Sequence, residues 1–268
     1  MIDPRVALGI TKDGLRVSLT DPATVQAGVI ALVGKSMNEL RCKAPTTRER
    51  RRHIEHRLIP LLRRERHLVA RMLQAERGAT LFVHAVAGTE ALGLRGMAFW
   101  LDAASGALTS NDIGIVRPHA IARLMQRTGR TDFSEVTEHV ASALAVGYVV
   151  GHDYWEAGCH QVGIPICGGL FVGSVRNGIV DLGTWFKPGV NGRPSKWDDF
   201  LAFVGDLPDG DDFYPAVQQM HTRLFSGNTI ASRFPFLIEP YARKEDRAGA
   251  AWDAARAQST AGERALNA

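Results

Sequence analysis

The sequence predicts an α+β protein in which a helical N-terminal module precedes helices packed on a twisted antiparallel sheet. Three observations carry that prediction. A strongly basic stretch of helical periodicity runs through residues 41–77, and a short helix at residues 118–128 is punctuated at both ends by Pro118 and Gly129. A tight hairpin signal, Asn177-Gly178, then sits inside alternating apolar and polar residues.

Along the chain, Asp21-Pro22 opens a helix to about Cys42, and Pro45-Thr46-Thr47 separates it from a second helix expected to run to Gly78. Ile54, Leu58, Leu61, Leu68, Val69 and Met72 would form its apolar face, with Arg52, His56, Arg63 and His67 opposite and a kink at Pro60. Short β-like runs come next, at Thr80 to Val86, Met97 to Leu101 and Asp112 to Val116, divided by glycines and a turn at residues 102–106. The helix from Pro118 follows directly, and Asp132-Phe-Ser-Glu135 caps another that Gly147 is expected to end.

From Tyr148 to Phe186 the chain reads as strands. Pairing outward from Asn177-Gly178 sets Arg176 beside Ile179, Val175 beside Val180 and Ser174 beside Asp181. Strict alternation would give one apolar face of Phe171, Val175, Val180, Leu182 and Phe186. The other face would carry Ser174, Arg176, Asp181 and Trp185. Ser195 caps a further helix, an acidic segment spans Asp198 to Asp212, and an amphipathic helix runs from about Phe213 to Phe225. The expected division is a helical basic module at 1–78, a central α+β domain at 79–187, a helical extension at 188–240 and an Ala/Arg-rich tail at 241–268.

With 45% hydrophobic and 22% charged residues, a chain of 268 residues can build a real core, which excludes a disordered protein. No apolar run is long enough to span a bilayer, and MIDPRVALGITKDG lacks the pattern of a secretory leader, so no membrane association and a cytoplasmic location are expected. The three cysteines have no framework spacing. Cys159-His160 with His152, Asp153 and Cys167 matches no common zinc pattern, so neither metal nor cofactor is expected. The net charge of +4 is uneven: residues 41–77 hold twelve Lys/Arg against four acids, a balance of +8 that leaves −4 for the remainder. Such asymmetry points to a polyanionic partner, with Arg52, His56, Arg63 and Arg66 as its contacts.

The chemistry is concentrated in the helix from Pro118. Helical spacing puts His119, Arg123 and Arg127 on one stripe and Ile121, Leu124 and Met125 on the side that packs on a sheet. An imidazole moves protons near neutral pH, and guanidiniums hold phosphate oxygens through paired hydrogen bonds. That combination suits a phosphodiester handled without metal.

The order of a helix with His119-Ala120-x-x-Arg123-x-x-x-Arg127, a second helix and a sheet with a tight hairpin resembles bacterial toxin ribonuclease domains of the barnase, colicin D and RelE group. The resemblance covers roughly residues 95–187. It implies metal-independent cleavage of RNA on the open side of a sheet, with His119 as general acid or base and Arg123 and Arg127 on the phosphate. Ser174 and Arg176 become candidates by location, and Tyr148 or Trp185 could stack on a base. Arg51 to His56 also fits the arginine-four-residues-histidine spacing of HEPN-type helical ribonucleases, a match that a segment this rich in both residues produces by chance.

The leading expectation is therefore a toxin-like, metal-independent ribonuclease acting on RNA. The alternatives are a non-catalytic nucleic-acid-binding or phage/plasmid accessory protein using the same basic surfaces, and a regulatory protein. The last would meet a protein inhibitor or partner through the acidic segment at 198–212.

Overall fold

The computed structural model describes residues 2–17, 20–41, 45–65, 68–75, 78–188, 195–208, 212–226 and 230–240. Arg66, His67, Cys42 and the tail from 241 onward lie outside them. Among the described residues seven strands share one sheet: Leu68–Ala75 (β1), Gly78–Thr89 (β2), Gly93–Asp102 (β3), Leu108–Val116 (β4), Gln161–Ile166 (β5), Gly169–Arg176 (β6) and Ile179–Phe186 (β7). Their order is β1-β2-β3-β4-β7-β6-β5. Two antiparallel meanders thus meet at a single parallel seam, where β4 runs beside β7 through three paired positions from Gly114↔Val180 to Val116↔Leu182. The architecture is α+β with a mostly antiparallel open sheet.

Both faces of this sheet are covered, and residue alternation shows how. In β3, Leu94 and Ala98 join the core beneath the helix Phe133–Glu156 (α6), whereas Met97, Phe99 and Leu101 join a second core. That second core is completed by Val25, Val29 and Val33 of the helix Pro22–Arg41 (α2) and by Ile54, Leu58 and Leu62. The helix Pro118–Thr128 (α5) packs along β7, and its Ile121, Leu124 and Met125 are fully buried. A first helix, Pro4–Val17 (α1), lies on α5; its start is capped by Asp3, whose Oδ1 accepts the Arg5 amide at 2.8 Å. This helix is an addition to the elements expected from sequence.

The second, basic helix is much shorter than its composition suggests. It begins at Thr47–His53 (α3) behind a capping box of Thr46 and Glu49, widens into a π turn at Ile54–Leu58, and ends with Ile59–Leu62 (α4). Pro60 explains the widening: it has no N–H, and its ring would collide with the His56 carbonyl in an ideal α-helix. Beyond it the chain enters β1, so Leu68, Val69 and Met72 lie on a strand that pairs with β2 from Leu68↔Ala85 to Ala75↔Gly78. Leu68 is buried while its neighbour Val69 is 42% exposed, which is the two-residue period of a half-covered strand. Sheet pairing overrides the helix propensity of Arg71, Met72, Leu73, Gln74 and Ala75.

Gly147 likewise fails to end α6, which continues to Glu156, so residues 148–156 are helical and not strand. Glycine is needed there for approach: a Cβ at Gly147 would lie 2.7 Å from Val180 Cγ2, and one at Gly151 would collide with the Gly178 carbonyl. The hairpin has the expected register, with Asn177 at φ 51° and Gly178 at φ 77°. Farther from the turn a bulge intervenes, so that Gly173 pairs with Leu182 but Val172 pairs with Thr184. The bulge shifts Trp185 onto the apolar face opposite Phe171, where it is fully buried, and leaves Phe186 only partly covered.

Candidate functional site

The stripe on α5 forms as its spacing predicts. Pro118 occupies the first turn, and Gly129 ends the helix in the left-handed conformation at φ 81°, its N–H donating to the Met125 carbonyl. Between them the buried side fixes the helix rotation, so His119, Arg123 and Arg127 project away from the core. Arg123 Nε lies 3.5 Å from His119 Nε2, and Arg123 Nη1 donates to Gln126 Oε1 at 3.0 Å. Arg127 Nη1 donates to the Trp185 carbonyl at 3.0 Å, tying the end of the helix to β7.

Electrostatics in this stripe are one-sided. Among the described residues no carboxylate pairs with Arg123 or Arg127. Partial desolvation, then the charges of Arg123 and Arg127, hold the His119 imidazole below the usual histidine range. Partial burial and the charge of Arg123 also lower the Arg127 pKa. The result is a neutral proton acceptor beside two guanidiniums that lack a carboxylate partner, an arrangement that can receive an oxyanion and take up a proton.

The remaining candidates do not all gather there. Arg176 pairs with Ile179 at the hairpin end of β7, six residues from Trp185, so about 20 Å of strand separates Arg176 from the Arg127 anchor. Arg176 thus lies far from the Arg127 end of the stripe. Ser174 lies opposite Asp181, whose carboxylate receives Arg117 Nε and Nη2 at 2.9 and 2.7 Å just before α5 begins. Trp185 cannot stack on a base: its ring is in the core and its Nε1 donates to the Ile166 carbonyl at 3.2 Å. Tyr148, on α6, joins a trio with Phe82 and Trp100 at ring distances of 4.7 to 5.7 Å, over β2 and β3. Burial raises its phenol pKa.

Arg52 and His56 occupy a different place. Together with Glu49, His53 and Arg57 they line an open hollow of about 450 Å³, whose other described walls are Leu40 and Pro45. The His53 ring is fixed by a 2.8 Å hydrogen bond between Nε2 and Ser36 Oγ. His53 was legible in principle, since it stands three and four residues before His56 and Arg57, the spacing that stacks side chains on a helix. Arg63 is exposed beyond α4.

The acidic segment serves local structure where it is described. Asp198 completes a capping box with Ser195 at the start of Lys196–Val204 (α7), and Asp206 Oδ2 accepts the Gly168 amide at 2.8 Å. Two buried ion pairs, Arg95–Asp112 and Arg117–Asp181, had no signal in local sequence because their partners are 17 and 64 residues apart. Among the described residues no group of three or more His, Cys, Asp or Glu is placed to hold a metal ion. No described helix is long and apolar enough to cross a membrane. No family model, curated protein or solved structure matches this chain.

Proposed function

We propose that the protein binds RNA, with the α5 stripe as its phosphate-handling site. One observation carries the reading: His119, Arg123 and Arg127 share a helix face on which, among the described residues, neither arginine has a carboxylate partner. Guanidiniums in that state are neutralised most favourably by phosphate, and release of counterions makes such binding depend steeply on salt. The uneven charge of residues 41–77 supports a polyanionic partner independently.

A second reading, metal-independent ribonuclease activity of the toxin-like kind, is favoured by the state of His119. An imidazole kept neutral beside Arg123 can accept the proton of a 2′-hydroxyl as its oxygen attacks phosphorus. The 5′-oxygen then departs with a proton from water and leaves a 2′,3′-cyclic phosphate. Arg123 would bear the charge that builds on the phosphoryl oxygens.

Fluorescence anisotropy with single-stranded RNA, followed from low to high salt, tests both readings. Arg123→Ala should weaken binding and flatten the logarithmic salt slope by about 0.7 for each phosphate that is no longer neutralised. For cleavage, His119→Ala should abolish product while sparing affinity, chelator should have no effect, and a 2′-deoxy sugar at the scissile position should block the reaction. Salt-independent affinity sinks the binding proposal. Intact RNA across a broad pH range sinks only the catalytic one.

A further inference from the structure

We infer that the hollow between α2 and α3 is a binding site for a phosphate monoester, carried by a free mononucleotide or by the phosphorylated end of a strand. The inference does not rest on the α5 stripe. Glu49, Arg52 and His53 share one face of α3 by three- and four-residue spacing, and the π turn brings His56 and Arg57 to the same hollow. Ile54 and Leu58 are fully buried on the other face and set its rotation.

The charges in the hollow are not mutually satisfied. Glu49 is tied to the start of the helix and not to either arginine: its Oε2 accepts the Thr46 amide at 2.8 Å and the Thr46 hydroxyl at 3.0 Å, which also keeps its carboxyl ionised to lower pH. Arg51 is turned aside to Glu55 at 2.9 Å. Among the described residues neither Arg52 nor Arg57 is in an ion pair. Two permanent cations, one carboxylate from Glu49 and two imidazoles, one held in place by Ser36, therefore face the same space, with a positive balance.

The ligand class follows from charge and size. The two guanidiniums outweigh the Glu49 carboxylate, and the three terminal oxygens of a monoester can use donors from both arginines and both histidines. A backbone diester has one charge and two free oxygens. A bare phosphate would leave most of the roughly 450 Å³ unfilled, whereas a nucleotide suits that volume. Leu40 and Pro45 offer an apolar wall for the nucleoside.

The test is titration of the full chain with adenosine 5′-monophosphate, inorganic phosphate, and one short RNA in 5′-phosphorylated and 5′-hydroxyl forms. The histidine ring resonances and the binding heat are followed together. Expected are saturable shifts of His53 and His56 with the mononucleotide, and weaker shifts with inorganic phosphate. Combined Arg52→Ala and Arg57→Ala substitution should lower affinity by about tenfold or more, with the melting temperature unchanged because both side chains are exposed. Tighter binding of the 5′-phosphorylated RNA than of the mononucleotide assigns the site to strand ends, and the reverse assigns it to free nucleotides. The proposal is overturned if no monoester moves the two histidines, if the double variant binds as tightly as the parent, or if 5′-hydroxyl RNA shifts them equally.

Discussion

His84 shows how much one buried side chain can weigh. It lies on β2 opposite Ala98, 4% exposed, and its Nε2 has no hydrogen-bond partner among the described residues. Burial alone pushes its pKa down to about 4, against an ordinary value near 6.5. The unfolded chain therefore binds the proton more readily than the folded one, and stability drops as the solution is acidified through that interval. The contribution should be complete above pH 6.5 and lost as pH falls to about 4, a change of roughly 3 kcal/mol. Urea unfolding at about pH 7.5, 5.5 and 4.5 measures it. His84→Leu should remove this component of the acid sensitivity, and equal pH dependence in parent and variant would refute the assignment. The opposite holds at His119, which is accessible: its lowered pKa acts on function, extending any base-dependent cleavage to pH values below the usual histidine range.

At the scale of elements, glycine has two different meanings in these helices. Gly28 of α2 is exposed, and a methyl group there would touch nothing within 4 Å. Gly28→Ala should stabilise the protein by about 0.5–1 kcal/mol, the usual helix-propensity gain. Gly151 of α6 faces the Gly178 carbonyl so closely that a Cβ must displace backbone, and Gly151→Ala should cost roughly 1–3 kcal/mol despite the same propensity gain. Chemical denaturation of both variants checks the contrast; stabilisation of both would mean that α6 can move away from the hairpin without penalty. Only the helical environment, and not the residue type, separates these glycines. This is why local sequence points to a helix end at Gly147 where the structure has none.

Across the molecule, the weak point is the seam between the two meanders. Among the described residues three pairs join β4 to β7, and the strand pairing between the halves of the sheet passes through them. Gly114 permits the approach, since a Cβ there would collide with the Val180 carbonyl. The Arg117–Asp181 pair clamps it, with both side chains largely buried at 9% and 17% exposure. Asp181→Asn would leave the guanidinium short of its counter-charge and should cost about 3–5 kcal/mol, the range for breaking a buried pair. Hydrogen exchange should then report faster opening of β5–β7 and α5 than of β2 and β3; uniform exchange through both halves would argue against a seam.

Features whose causes lie within a few residues can be read from the chain alone. Pro118 and Gly129 bound α5, helical spacing aligns His119 with Arg123 and Arg127, and Asn177-Gly178 sets the hairpin register, because caps, turns and helix faces are local geometry. The α+β class is legible for the same reason. Long-range packing settles the rest. Leu68–Ala75 is a strand because β2 offers an edge, α6 runs past Gly147 because two glycines let it approach β7, and a bulge turns Trp185 from an expected stacking platform into core. Which basic residues share a site is settled at that level too. Arg176 stands at the hairpin end of β6, and Arg52, His53, His56 and Arg57, already neighbours by their spacing, meet Leu40 of α2 in a separate hollow because helix packing places that wall opposite them.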